Sequence, residues 1–193
     1  LYTGLMAAVI TSASCNRELR RIEKSNDLEK KLAYADKMYE KKKYQLAQTL
    51  YEEMIPVFKG TDKFEPLYYK YAYCSFYLKD YQQAGFHFKN YLEALPSSPR
   101  AQEIDYQAAY CYYKLSPKVA LDQTNTMKAI ASMQTFINTY PNSEKSAEAS
   151  VVIDLLRRKL EQKEYNAAEL YYNLGHYKAA GVSFKSLMRA YPD

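Results

Sequence analysis

The sequence predicts an all-α protein, a superhelical solenoid of antiparallel helix pairs, and three observations carry that prediction. A phrase of small and aromatic residues recurs along the chain at helical spacing, prolines close its last three copies, and helix breakers are few, with five glycines and seven prolines in 193 residues. With 48% hydrophobic and 25% charged residues, the chain can bury a real core. It is too charged for a multi-span membrane protein and too rich in tyrosine, with 22, for disorder. The net charge of +5 is spread over polar helix faces without forming a stripe, so nothing asks for a nucleic-acid partner.

The recurring phrase is Tyr44-x-x-Ala47-x-x-x-Tyr51-x-x-Met54. It returns as Tyr81-x-x-Ala84-x-x-x-Phe88-x-x-Tyr91, less fully as Ala129-x-x-x-Met133-x-x-Phe136, and again as Tyr177-x-x-Ala180-x-x-x-Phe184-x-x-Leu187. These spacings place the small and the large residues on one helix face, so the alanine admits a partner helix while the aromatic fills the next layer. Pro96, Pro141 and Pro192 then stop the helix. Another helix with its own alanine, Ala72 or Ala109, precedes the second and third copies.

This pattern resembles the tetratricopeptide repeat. It implies repeats over about residues 28–60, 65–98 and 102–143, the third lengthened by an insertion, Ser116 to Thr126, at its inter-helix turn. Residues 144–193 read as three further helices: one from Ser146 to Glu161, a second opening at Tyr165, and a last from Tyr177. Because an array cannot bury its last face, native residues are expected beyond Asp193.

Three parts are expected: a leader over 1–15, a tether over 16–27 and a repeat domain over 28–193. Leu1 to Ser14 is uncharged, of signal-core length and too short to span a bilayer, and the absence of an initial methionine implies a lost start. Ser12-Ala13-Ser14-Cys15 resembles a bacterial lipobox, although Ser12 stands where that pattern prefers leucine. Cys15 is therefore the expected lipidation site, with an ordinary secretory signal or an amphipathic helix as alternatives. Cys74 and Cys111 read as buried thiols, with a disulfide as the alternative in an oxidising envelope.

Helix-A residues not used for packing would line an inner groove, and here they are tyrosines. Tyr69, Tyr73, Phe76 and Tyr77 of the second repeat and Tyr106, Tyr110, Tyr113 and Lys114 of the third form an aromatic ladder and a candidate peptide groove, since rigid aromatics with a polar tip suit peptide docking, while core filling is the competing reading for each tyrosine. Tyr73 and Tyr110 are expected to face solvent. Catalysis finds little support. The only histidines, His87 and His176, lie at no motif spacing with a nucleophile or carboxylate, and neither a glycine-rich phosphate cradle nor a Cys/His metal cluster is present. No enzyme activity, cofactor or metal is expected.

The lipobox-like cysteine, the tether, the repeats and the run Leu160-Glu161-Gln162-Lys163-Glu164-Tyr165-x-x-Ala168-x-x-Tyr171-Tyr172-x-x-Gly175-x-Tyr177-x-x-Ala180 together resemble the BamD family, as does Pro96-x-x-Pro99 followed by Ala101. That family is the tetratricopeptide lipoprotein subunit of the outer-membrane β-barrel assembly machinery. The resemblance implies a scaffold and substrate-recognition lipoprotein on the periplasmic face of the outer membrane, anchored through lipid on Cys15. Its implied partners are the barrel subunit, the accessory subunits and unfolded outer-membrane protein segments. It further implies a peptide groove at Tyr39, Tyr69, Tyr73, Tyr77, Tyr106 and Tyr110 and a partner-docking face from Tyr165 to Met188, with Tyr165, Tyr172, Tyr177, Phe184 and Met188. The alternative is a generic tetratricopeptide adaptor lipoprotein of the cell envelope; a carbohydrate-capture lipoprotein is a weaker third.

Overall fold

The computed structural model describes residues 20–22 and 25–192. The expected leader with Cys15, and most of the tether, lie outside the described residues. From Leu28 to Ala190 the chain forms helices joined by turns and short loops, in two compact units, one through Asp80 and one from Tyr81. Among the described residues no helix is long and apolar enough to cross a membrane.

In the first unit Asp27 starts α1 (Leu28–Glu40) by accepting the Lys30 amide, with Glu29 in the first turn and Lys37 in the last complementing the helix dipole. The helix α2 (Tyr44–Phe58) follows, then α3 (Phe64–Tyr77), each packing on its predecessor. The buried faces have helical period: Tyr34, Ala35 and Met38 on α1, and Ala47, Leu50, Tyr51, Met54 and Phe58 on α2. The Tyr51 hydroxyl donates to Asp36 Oδ1 at 2.6 Å, and Lys70 Nζ reaches the same oxygen at 2.8 Å, tying α2 and α3 to α1 through one carboxylate.

In the second unit α4 (Tyr81–Ala94), α5 (Ala101–Leu115), α6 (Thr124–Thr139), α7 (Glu144–Asn173) and α8 (Tyr177–Ala190) each pack on the next. Its core joins Tyr106 and Ala109 of α5, Ala129, Met133 and Phe136 of α6, and Ala149, Val152, Ile153 and Leu156 of α7. All six alanines assigned to the small places, Ala47, Ala72, Ala84, Ala109, Ala129 and Ala180, are buried. Gly85 belongs to the same close approach, because a Cβ there would lie 3.3 Å from Cys111 Cβ.

The turns show why the helices end where they do. Helices α4, α6 and α8 close at Ala94, Thr139 and Ala190, two residues before Pro96, Pro141 and Pro192. The residue before a proline is pushed out of helical geometry, as Tyr140 (ψ 62°) and Tyr191 (ψ 72°) show, yet its own N–H still closes the last helical bond. A different device follows α1, α3 and α7. There the residue after the cap takes positive φ, Lys42 at 58°, Lys79 at 64° and Gly175 at 77°. The following amide bonds back across the turn, Lys43 to Met38, Asp80 to Ser75 and His176 to Tyr171.

The third pair instead carries the insertion, which is a built loop from Ser116 to Gln123. The Gln123 side chain is buried; its amide donates to the carbonyls of Lys118, Val119 and Leu121, and its oxygen accepts from Thr126 Oγ1 at 2.6 Å. Lys159 of α7 reaches Ser116 Oγ and the Pro117 carbonyl, and Lys163 the Leu121 carbonyl, so the loop is clamped to α7.

One expectation is corrected. Where the sequence reads a helix ending near Glu161 and another opening at Tyr165, α7 is a single helix of 30 residues, about 45 Å long. Residues 157–170, RRKLEQKEYNAAEL, hold no glycine, proline or capping turn to break it, and most favour helix.

Filling the small places should be costly: Ala84→Leu and Ala129→Leu are each expected to destabilise by about 1–3 kcal/mol through overpacking, measured by chemical denaturation. Lys42→Gly should stabilise by about 0.5–1 kcal/mol, since glycine adopts positive φ without a Cβ penalty; an unchanged denaturation midpoint would contradict the turn geometry.

Candidate functional site

The tyrosines of the candidate groove gather into two clusters, one in each unit. In the first, Tyr44 stacks on Tyr77 at 4.6 Å between ring centroids, with Tyr39 at 5.6 Å from Tyr44 and 6.2 Å from Tyr77. Tyr69 lies 4.6 Å from Tyr73, which in turn lies 5.7 Å from Tyr77 and 6.2 Å from Phe76. In the second, Tyr110 lies between Tyr106 at 5.8 Å and Tyr113 at 5.2 Å, and Tyr106 meets Phe136 edge-on at 5.4 Å. Lysines cover this second cluster: Lys114 stands 5.7 Å from the rings of both Tyr81 and Tyr110, and Lys145 5.2 Å from that of Tyr106.

Exposure divides the six groove tyrosines. Tyr77 is open to solvent, and Tyr39, Tyr69 and Tyr110 are half-buried. Tyr73, expected at the surface, is 6% exposed, and Tyr106 is 2% exposed and part of the core. The spacing that puts Tyr73 beside Tyr69 and Tyr77 also turns its ring inward among them, so it supports the cluster from beneath. Tyr44 is the member that the groove assignment missed; its signal was its place at the head of the repeat phrase, directly after the α1 turn.

The Tyr165 to Met188 region is the most open apolar surface of the second unit. Tyr165 of α7 meets Phe184 of α8 edge-on at 5.7 Å, and Tyr172 meets Tyr177 at 5.4 Å. Tyr172, Tyr177 and Met188 are 58%, 66% and 73% exposed, while Phe184 is half-buried. Leu170, Leu174 and Val182, not singled out from the sequence, are also exposed. Helix α8 carries Lys178, Lys185 and Arg189 and no acidic residue, while the facing part of α7 carries Glu161, Glu164 and Glu169.

Burial governs the titratable groups. It raises the Tyr39 phenol, with Tyr77 adding to the effect, and it raises Tyr51, whose bond to Asp36 adds to it. Burial and then the Glu148 carboxylate raise Tyr106. Tyr71 is pushed up to about 12, as are the thiols of Cys74 and Cys111, both free and buried. Such thiols are poor nucleophiles at neutral pH. His87 is buried inside α4, and His176 occupies the N-cap position of α8 without a side-chain cap bond. Among the described residues no group of three or more His, Cys, Asp or Glu could hold a metal ion.

Paired helices with alanine-centred contacts, exposed aromatic faces and inert thiols define a helical-repeat protein of the tetratricopeptide type, a class that works through its surfaces. Residues 26–193 match the family described as YfiO, outer membrane lipoprotein, and the chain belongs to that family. It is also similar to the outer membrane protein assembly factor BamD of Caulobacter vibrioides, 31% identical over 98 residues, which are 51% of this chain and 32% of that protein. The matched segment thus spans about a third of the relative's length.

Raised phenol and thiol values bind protons more tightly in the folded state. Their stabilisation is complete below the ordinary values of 9.0 for Cys74 and 10.0 for Tyr71 and is lost as pH rises toward 12. The melting temperature should therefore fall progressively above pH 9, followed by circular dichroism, and a flat profile to pH 12 would contradict the burial of these groups.

Proposed function

We propose that this protein is a non-enzymatic scaffold and substrate-recognition lipoprotein in the assembly and insertion of outer-membrane β-barrel proteins. It is held on the periplasmic face of the outer membrane by lipid on Cys15. The observation that carries this reading is the exposed aromatic surface of α7 and α8, in a chain of the outer-membrane lipoprotein family. Tyr172, Tyr177 and Met188 offer large apolar area that nothing in the described chain covers, the composition of a docking surface. With Tyr165 and Phe184 this is the face for the barrel subunit of the assembly machinery and its accessory subunits. The relative's printed role as an assembly factor supports that choice.

In the first unit Tyr39, Tyr69 and Tyr77 serve as the accessible part of a substrate-binding surface with Tyr73 as its buried support, and in the second unit Tyr110 serves likewise over the buried Tyr106. Tyrosine hydroxyls can bond an extended backbone while the rings cover its side chains, at small cost in rotamer entropy. Such a surface holds and orients an unfolded segment without reacting with it.

Affinity purification of the lipid-anchored protein from mild detergent, with mass spectrometry of the companions, tests the reading. Recovery of an outer-membrane barrel subunit is expected, and Tyr177→Asp with Met188→Asp should reduce it about tenfold or more. Recovery of unrelated envelope proteins alone would transfer the function to a general adaptor.

A further inference from the structure

A pocket of about 440 Å³ lies within the second unit, walled by α4 and α6 and floored by α5. Cys111 and Leu115 form its floor, and Phe86, 58% exposed, is its apolar lip. Gly85 leaves the α4 wall bare at the place where a Cβ would already stand 3.3 Å from Cys111 Cβ. Burial pushes the Cys111 thiol up to about 12, so the floor carries no charge at neutral pH. The volume falls in the range of small-ligand sites, about 300–1,000 Å³.

The polar groups around this space are donors that the fold leaves unspent. Lys89 Nζ donates to the Tyr112 hydroxyl at 2.9 Å, which holds the ammonium at the pocket and leaves the phenol its own O–H to give. The side chains of Gln82, Asn125 and Lys128 make no hydrogen bond or ion pair among the described residues. No carboxylate lines the pocket. Asp105, whose carboxyl burial raises and Lys89 lowers, stands outside the lining, and Asp122 is bonded to the Thr124 amide.

We propose that this pocket binds a phosphate ester, one phosphate group on a small uncharged stem, as a soluble phosphomonoester or as the headgroup of an anionic phospholipid. Two lysines with no acid in the lining call for an anion. The donors converge from three helices, Gln82 and Lys89 from α4, Tyr112 from α5, and Asn125 and Lys128 from α6, which suits a tetrahedral group with acceptor oxygens on several sides. A carboxylate is planar, offers two oxygens and is matched best by the fork of an arginine, and no arginine lines the pocket. Lysine binds phosphate as a point charge. A nucleic-acid backbone would ask for a stripe of such sites, and the charge of this chain forms none. Phe86 and Leu115 give the stem an apolar surface to rest on. The inference concerns α4, α5 and α6 alone and rests on no part of the proposed function.

The chain has no tryptophan, so Phe86→Trp places a single fluorophore at the lip. Titration of the purified full chain with glycerol phosphate is expected to change its emission saturably, with acetate inert at equal ionic strength, and calorimetry with Phe86 retained should give the same affinity. Lys89→Gln with Lys128→Gln should weaken binding about tenfold or more. Lys41→Gln with Lys59→Gln, which removes the same charge from the first unit, should leave it unchanged, and circular dichroism checks that each variant folds. Flotation of the Cys15→Ala chain with phosphatidylcholine vesicles containing phosphatidylglycerol separates the two sources. Vesicle binding that glycerol phosphate competes away and the Lys89 and Lys128 pair abolishes assigns the headgroup; glycerol phosphate binding without it assigns the soluble ester, and either supports the pocket. No saturable response to glycerol phosphate, acetate binding equally well, or equal weakening by the two lysine pairs would overturn the proposal.

Discussion

The structure depends on the close approach of helices at buried alanines. Ala47, Ala72, Ala84 and Ala129 are fully buried, and each stands one helical turn from a large residue in the next layer, as Ala47 does from Tyr51 and Ala129 from Met133. A methyl group at the crossing lets two helices approach until dispersion contacts are made along their length, and the aromatic fills the volume that opens beyond. The same constraint extends to Gly85, where even a methyl group would press on Cys111. Within each unit, consecutive helices thus need no long-range specification; each packs on the one before it.

That economy throws the variation onto the turns. Three turns use the same positive-φ closure, and two of them place lysine where glycine would be unstrained. The third pair departs, and there the loop compensates with buried polar chemistry. Gln123 satisfies three carbonyls that a short turn would not have left open, and Lys159 and Lys163 bring charge-assisted bonds from α7. The insertion therefore joins the third repeat to the long helix.

Tyrosine supplies both core and surface. At Tyr51 it is core, its single polar atom paired with Asp36. At Tyr77 and Tyr177 it is surface, and between these extremes Tyr39, Tyr69 and Tyr110 keep one side on the protein and one toward solvent. The exposed rings rest on buried ones, Tyr77 beside Tyr73 and Tyr110 beside Tyr106, so aromatic surface is held in place by aromatic core.

The sequence by itself determined the helix-pair repeat, the small places and the proline stops, because each follows from local spacing on a helix and from what proline and alanine do to a backbone. It also carried the family, through the Tyr165 to Ala180 run. Only the tertiary structure decided which tyrosines are accessible: Tyr73 and Tyr77 lie on the same helix and are the same residue type, and their burial is set by neighbours that local spacing does not name. Likewise the continuity of α7 was hidden. A repeat phrase at Tyr165 announces a new helix, but whether the chain turns before it depends on a breaker, and none is present between Arg157 and Leu170.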